Sequence, residues 1–240
     1  MVSTIDPGGA TETVVVPVGV RLPGELAIPP NAKGIVVFAH GSGSSRLSPR
    51  NQRVAKQLQA GGFATLLFDL LTADEESFDA RTGQLRFDVQ LLAERLSNMT
   101  DWLGSHPTTA SLHVGYFGAS TGAAAALVAA ATHPGVVRAI VSRGGRPDLA
   151  GPYLGRVKAP TLLIVGGNDT PVIEMNESAL RQLASPIKKI EIVPHATHLF
   201  EETGALERVA NLALKWFDQY ITRPTSKAAA AASDVESEIC

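Results

Sequence analysis

Six short apolar runs, alternating with stretches of helical periodicity, restrict this 240-residue chain to few architectures. The runs are 34–39 (GIVVFA), 64–68 (ATLLF), 112–117 (LHVGYF), 137–141 (VRAIV), 161–165 (TLLIV) and the more amphipathic 189–193 (KIEIV). Runs this short and this continuous suit strands buried on both faces, which is the condition of a parallel sheet covered by helices. Helical spacing of apolar residues covers 50–60, 87–103, 122–131, 176–183 and 206–220. Alternating strands and helices imply right-handed crossovers, hence an α/β fold with a mostly parallel central sheet and helices on both faces. Residues 13–28 alternate short apolar runs with Gly and Pro, as edge strands or a hairpin would.

Chemistry enters where these strands end. Gly118-Ala119-Ser120-Thr121-Gly122 follows the run LHVGYF and opens an alanine-rich helix. G-x-S-x-G alone is a weak signal; between a buried strand and a helix it is the setting of a nucleophile elbow. Ser120 is therefore the candidate nucleophile. A serine hydroxyl needs a base to take its proton, and after such an elbow the acid and then the base follow in chain order. Asp169 stands just past the run TLLIV, in Gly166-Gly167-Asn168-Asp169, and is the candidate orienting acid. A helix cap is its alternative role, and Asp148 is the reserve acid. His195 and His198 both lie between the last strand and the last helix. His198, further from the strand, is the candidate base. H-x-x-H could also form half of a metal site, but no second ligand pair appears nearby, so no metal and no cofactor is expected. The backbone N–H of Thr121, at a helix start, is one candidate oxyanion donor. His106, His113 and His133 are read as structural.

With these residues in view the chain resembles the α/β-hydrolase superfamily, and within it the dienelactone hydrolase-like group. The resemblance runs from about Val14 to Tyr220. It rests on His40-Gly41-Ser42-Gly43, Phe68-Asp69-Leu70, the Ser120 elbow, Gly166-Gly167-Asn168-Asp169 and His198-Leu199-Phe200. It implies an α/β-hydrolase fold, a second oxyanion donor at the Ser42 amide, and His40 as a brace for that loop. Dienelactone hydrolases proper are expected to carry a cysteine where this chain has Ser120, so a small carboxylic ester is the expected substrate. Thioesters, lactones and short peptides suit the same triad, and a non-catalytic ligand-binding member of the fold is the alternative outside catalysis. Only residues 142–158 stand where relatives insert a cap, too few for a sizeable cap domain. The acidic stretch 71–86 is read as a long loop shaping the pocket rim. Arg143, at a strand end, is the candidate substrate-binding residue for a carboxylate, with a salt bridge to a loop acid as its alternative.

Composition closes off other classes. A net charge of −2 offers no basic face for nucleic acid. No apolar run reaches the roughly 20 residues of a membrane span, and the N-terminal residues lack the form of a secretory signal. The single cysteine, Cys240, allows no disulfide within the chain. A cytoplasmic enzyme acting on a small molecule is the expectation, with a homodimer as the default assembly. Residues 1–221 are read as one domain. Residues 222–240, with Lys227 and the alanine run after it, are read as a flexible or artificially appended tail.

Overall fold

In the computed structural model, which describes residues 5–6, 9–17 and 19–222, the six apolar runs form the parallel part of one sheet. They become β4 (Ile35–Ala39), β5 (Ala64–Phe68), β6 (Val114–Ala119), β7 (Val137–Arg143), β8 (Thr161–Gly166) and β9 (Lys188–Val193). Ahead of them β1 (Ile5–Asp6), β2 (Gly9–Pro17) and β3 (Arg21–Ile28) pair antiparallel, and β3 joins the sheet antiparallel to β5. The order is β1-β2-β3-β5-β4-β6-β7-β8-β9. β6 starts two residues later than the apolar run and continues through Gly118 and Ala119, so the strand delivers the elbow directly. The tail expected over 222–240 lies, apart from Thr222, outside the described residues.

Period-two alternation divides each central strand between two cores. In β4, Ile35, Val37 and Ala39 face one layer while Val36 and Phe38 face the other. The first layer holds α3 (Val89–Ser105), α4 (Thr121–Thr132) and, at its edge, α5 (Thr170–Gln182). The second holds α1 (Pro49–Ala60) and α6 (Ala205–Tyr220), packed against each other. Residues 121–131 of α4 are all buried, which explains a helix that is apolar all round rather than amphipathic. Among the described residues no helix is long and apolar enough to cross a membrane.

Two expectations need correction. The acidic stretch 71–86 is not a loop: α2 (Ala73–Thr82) and a 3-10 turn (Leu85–Phe87) occupy most of it. It has no apolar stripe, so hydrophobic periodicity misses it. Its start is a capping box, with Thr72 Oγ1 accepting from the Glu75 amide at 3.2 Å and Glu75 accepting from the Thr72 amide at 2.8 Å. Its end is held by Asp79, which accepts from the amides of Leu85 and Arg86 and from Arg86 Nε. The second correction is α5, which begins at Thr170, six residues before the expected 176, because Pro171 fits the first turn of a helix. Between β7 and β8 stand only short 3-10 turns over Pro147–Arg156, so no sizeable cap domain is inserted there.

Candidate active site

Ser120 sits between β6 and α4 with φ 52° and ψ −123°, a region that costs a non-glycine residue about 1–3 kcal/mol. The surroundings enforce it. A Cβ on Gly118 would fall 2.4 Å from the Ala123 Cα, and one on Gly122 would fall 2.2 Å from the Ala39 carbonyl oxygen. The two glycines of the motif therefore let strand, turn and helix pass at contact distance. The Ser120 amide donates to the Arg143 carbonyl, and its own carbonyl accepts from the amides of Ala123 and Arg146. Among the described residues the Ser120 hydroxyl has no hydrogen-bond partner, and the side chain is half-buried at the sheet's carboxyl edge.

Asp169 and His198 come together from loops that are adjacent because β8 and β9 are adjacent. Asp169 Oδ2 lies 2.7 Å from His198 Nδ1. Asp169 occupies the N-cap position of α5 yet caps nothing with its side chain. A capping aspartate is worth about 1 kcal/mol, and here the carboxylate is turned toward the imidazole instead. The His198 ring approaches the elbow beside Gly144, where an added Cβ would stand 3.5 Å from His198 Cε1. The sequence alternatives separate cleanly. His195 is exposed with φ 62°, and Asp148 is engaged by Arg146 at 2.7 and 2.9 Å.

The stretch 40–43 lies directly on the elbow, since a Cβ on Gly41 would be 3.0 Å from Ser120 Cβ. His40 braces it. Its Nδ1 donates to the Gly41 carbonyl at 3.0 Å and its Nε2 accepts from the Leu70 amide at 3.1 Å. Burial holds the His40 pKa below 6.5, against the opposing pull of the Gly41 carbonyl and Asp69, so the ring is neutral and its tautomer fixed. Of the two candidate oxyanion donors, the Thr121 amide begins α4 and has no carbonyl four residues back to bond within the helix. The Ser42 amide is already engaged: it donates to Thr121 Oγ1 at 2.9 Å, and the Ser42 and Thr121 hydroxyls lie 2.6 Å apart. The sequence gives no hint of this tie, which joins residues 79 apart.

Comparisons with known proteins show the family and the fold. The model of the dienelactone hydrolase family matches residues 22–234. The chain belongs to the dienelactone hydrolase family. A crystal structure of dienelactone hydrolase from Anabaena variabilis is 61% identical and superposes with a TM-score of 0.87 over 89% of this chain and 99% of that one. Est1E from Butyrivibrio proteoclasticus shares the fold at 15% identity, with a TM-score of 0.68 over 88% of this chain and 99% of Est1E. A Mycobacterium tuberculosis protein named as a phosphoribosyl transferase is 58% identical over 221 residues, 91% of this chain and 48% of that relative. This family member thus spans about half the length of the curated relatives it matches. Family and structural neighbours together support a hydrolase.

In this family member Arg143 makes no salt bridge to a loop acid among the described residues, so the alternative expected for it is absent there. The residue is 8% exposed, its Nε and Nη1 are fully enclosed without a partner, and no described acid pairs with it. Its one close neighbour of complementary character is the Phe200 ring, 5.9 Å away. Burial and the nearby Arg50 charge push its pKa down to about 10. One cavity borders the 40–43 stretch beside the elbow and another lies beyond Phe200. The first, of about 550 Å³, is walled by residues 41–45 and 47–50, Leu71 and the Glu76 and Asp79 face of α2. The other, of about 490 Å³, is walled by Phe200, Glu201, Gly204 and the start of α1. Arg50 borders both. The stretch 71–86 does wall the first cavity, as expected, but through a helix that the sequence reading missed and that the Thr72-x-x-Glu75 spacing signals.

Proposed function

We propose that this chain is a serine hydrolase that cleaves a small carboxylic ester through an acyl-enzyme. The observation that carries the reading is the 2.7 Å pair between Asp169 and His198, at the sheet edge where a serine is held in a strained elbow. An aspartate that leaves its helix uncapped to orient an imidazole, beside a serine with an unengaged hydroxyl, fits a nucleophile and its base. Ser120 Oγ attacks the acyl carbonyl and His198 Nε2 takes its proton. Asp169 keeps Nδ1 protonated and stabilises the imidazolium. The developing oxyanion receives the Thr121 amide, and the Ser42 amide exchanges the neutral Thr121 hydroxyl for the charged oxygen. That exchange favours the transition state, because a hydrogen bond to a charge is about twice as strong as one between neutral groups. His198 then protonates the leaving alcohol, and water repeats the sequence on the acyl-enzyme.

Arg143 is assigned to substrate binding, supported by its enclosed and unpartnered nitrogens. The mycobacterial relatives' name speaks of phosphoribosyl transfer; in this chain the side chains at the sheet edge are those of acyl transfer. Matched ester, thioester, lactone and anilide substrates test the reading. Ester hydrolysis should exceed the others and vanish in Ser120→Ala. Ester turnover that survives the substitution would reject it.

A further inference from the structure

An oxyanion donor works only where its position is fixed before the charge develops, and the Ser42 amide belongs to a loop with little rigidity of its own. Apart from turn contacts from Ser44 to Gly41 at 3.2 Å and from Ser48 to Ser45 at 3.1 Å, residues 40–48 make no backbone hydrogen bond to one another. Gly43, with φ 65° and open space about it, adds freedom rather than restraint.

The order of the sheet supplies what the loop lacks. β4 lies between β5 and β6, so the loop leaving it runs between the elbow on one side and the chain leaving β5 on the other. On the elbow side is the tie from Ser42 to Thr121. On the β5 side is the dipeptide Asp69-Leu70, which holds the loop at both ends. The Leu70 amide donates to His40 at the loop's start, at 3.1 Å. At the far end Asp69 Oδ1 accepts from the Arg46 amide at 2.7 Å, and Oδ2 accepts from the Arg46 guanidinium. The anchor itself is fixed: the Asp69 amide donates to the Pro23 carbonyl of β3 at 3.1 Å, and Leu70 is buried in the core. Asp69 is 7% exposed, and a carboxylate so enclosed is costly unless paired and hydrogen-bonded. The residue that pairs it is the one whose backbone closes the oxyanion loop.

We propose that Asp69 is a positioning residue for acyl transfer: by holding the Arg46 amide it sets where the Ser42 amide meets the developing oxyanion. This rests on the hydrolase reading above and adds to it a group that touches neither the substrate nor the triad. The contact with the amide does the positioning. The guanidinium neutralises the carboxylate that makes it.

Two variants of the full chain test it with p-nitrophenyl butyrate. Asp69→Leu fills similar space with no acceptor; Asp69→Asn keeps an acceptor for the Arg46 amide. In Asp69→Leu kcat should fall by roughly 10- to 100-fold, up to the loss that follows removal of one oxyanion donor, with KM little changed. Asp69→Asn should recover kcat to within about fivefold of wild type, the worth of one ordinary hydrogen bond. A trifluoromethyl ketone, to which Ser120 adds to give a hemiketal oxyanion, should lose affinity in Asp69→Leu by the same factor as kcat/KM. A merely structural residue would not impose that match. Should Asp69→Leu not fold, Asp69→Ser, too short to reach the Arg46 amide, takes its place with the same expected split. A lowered Tm with wild-type kcat would overturn the proposal, and so would a raised KM at constant kcat. So would an Asp69→Asn enzyme as slow as Asp69→Leu. The control is fluorophosphonate labelling of Ser120 in the wild type; its absence would remove the hydrolase reading, and this proposal with it.

Discussion

The two flanks of Ser120 are built on opposite principles. On the 40–43 flank the polar groups of the loop are tied down: His40 bonds at both ring nitrogens and Ser42 bonds Thr121 through amide and hydroxyl. On the Arg143 flank a buried cation keeps enclosed donors unused. Buried polar groups in folded proteins are nearly always satisfied, so the first flank reads as machinery completed by folding and the second as machinery completed by a ligand. On the proposed function, the difference separates residues that position from residues that bind.

The largest expected effect tests whether the flanks meet at His198. Asp169→Asn should lower kcat about 10,000-fold by favouring the wrong tautomer while leaving the folded state intact by circular dichroism. A loss below tenfold would detach His198 from Asp169 and dissolve the comparison.

Next comes a contrast in stability. An uncompensated buried charge carries a desolvation penalty of several kcal/mol, and an apolar side chain of similar size relieves it. Arg143→Met should therefore raise Tm, by roughly 2–4 °C for each kcal/mol recovered in a chain of this size, as KM for the ester rises. A lowered Tm in thermal unfolding would mean that Arg143 has a structural partner and that the two flanks are alike.

A smaller effect is expected on the braced side. Thr121→Val removes the acceptor that aims the Ser42 amide, and should reduce kcat by about tenfold, short of the roughly 100-fold that follows outright loss of an oxyanion donor. Thr121→Ser should restore it with KM little changed. Failure of the serine to rescue would place the effect in packing rather than in the hydroxyl.

The smallest is a pH effect. Burial depresses the His40 pKa in the folded state below its ordinary 6.5, so on acidification the unfolded chain takes up this proton first. Stability from His40 is thus complete above about 6.5, declines as pH falls through that value, and levels off only below the folded pKa. Chemical denaturation between pH 7.5 and 5 should show this decline, and His40→Gln should flatten it. An equally steep decline in the variant would assign it to other groups.

Much of this was legible in the sequence, for identifiable reasons. Strands buried on both faces need continuous apolar runs, so β4 to β8 announced themselves, and β9, paired at the sheet edge and less buried, did so more faintly. The elbow was legible because only glycine fits at 118 and 122, and Asp169 and His198 because strand ends fix where such groups can stand. What escaped depends on contacts between distant parts of the chain. α2 is held by its capping box and by Asp79 rather than by an apolar stripe. The Ser42–Thr121 tie, and the lack of any partner for Arg143, follow from tertiary packing that no local pattern encodes.

The central claim is that Ser120 is an activated nucleophile, and intact-mass analysis after fluorophosphonate treatment tests it most directly. The account predicts one adduct on the wild-type chain and none on Ser120→Ala. No adduct on the wild type, or one that persists in the variant, would contradict it.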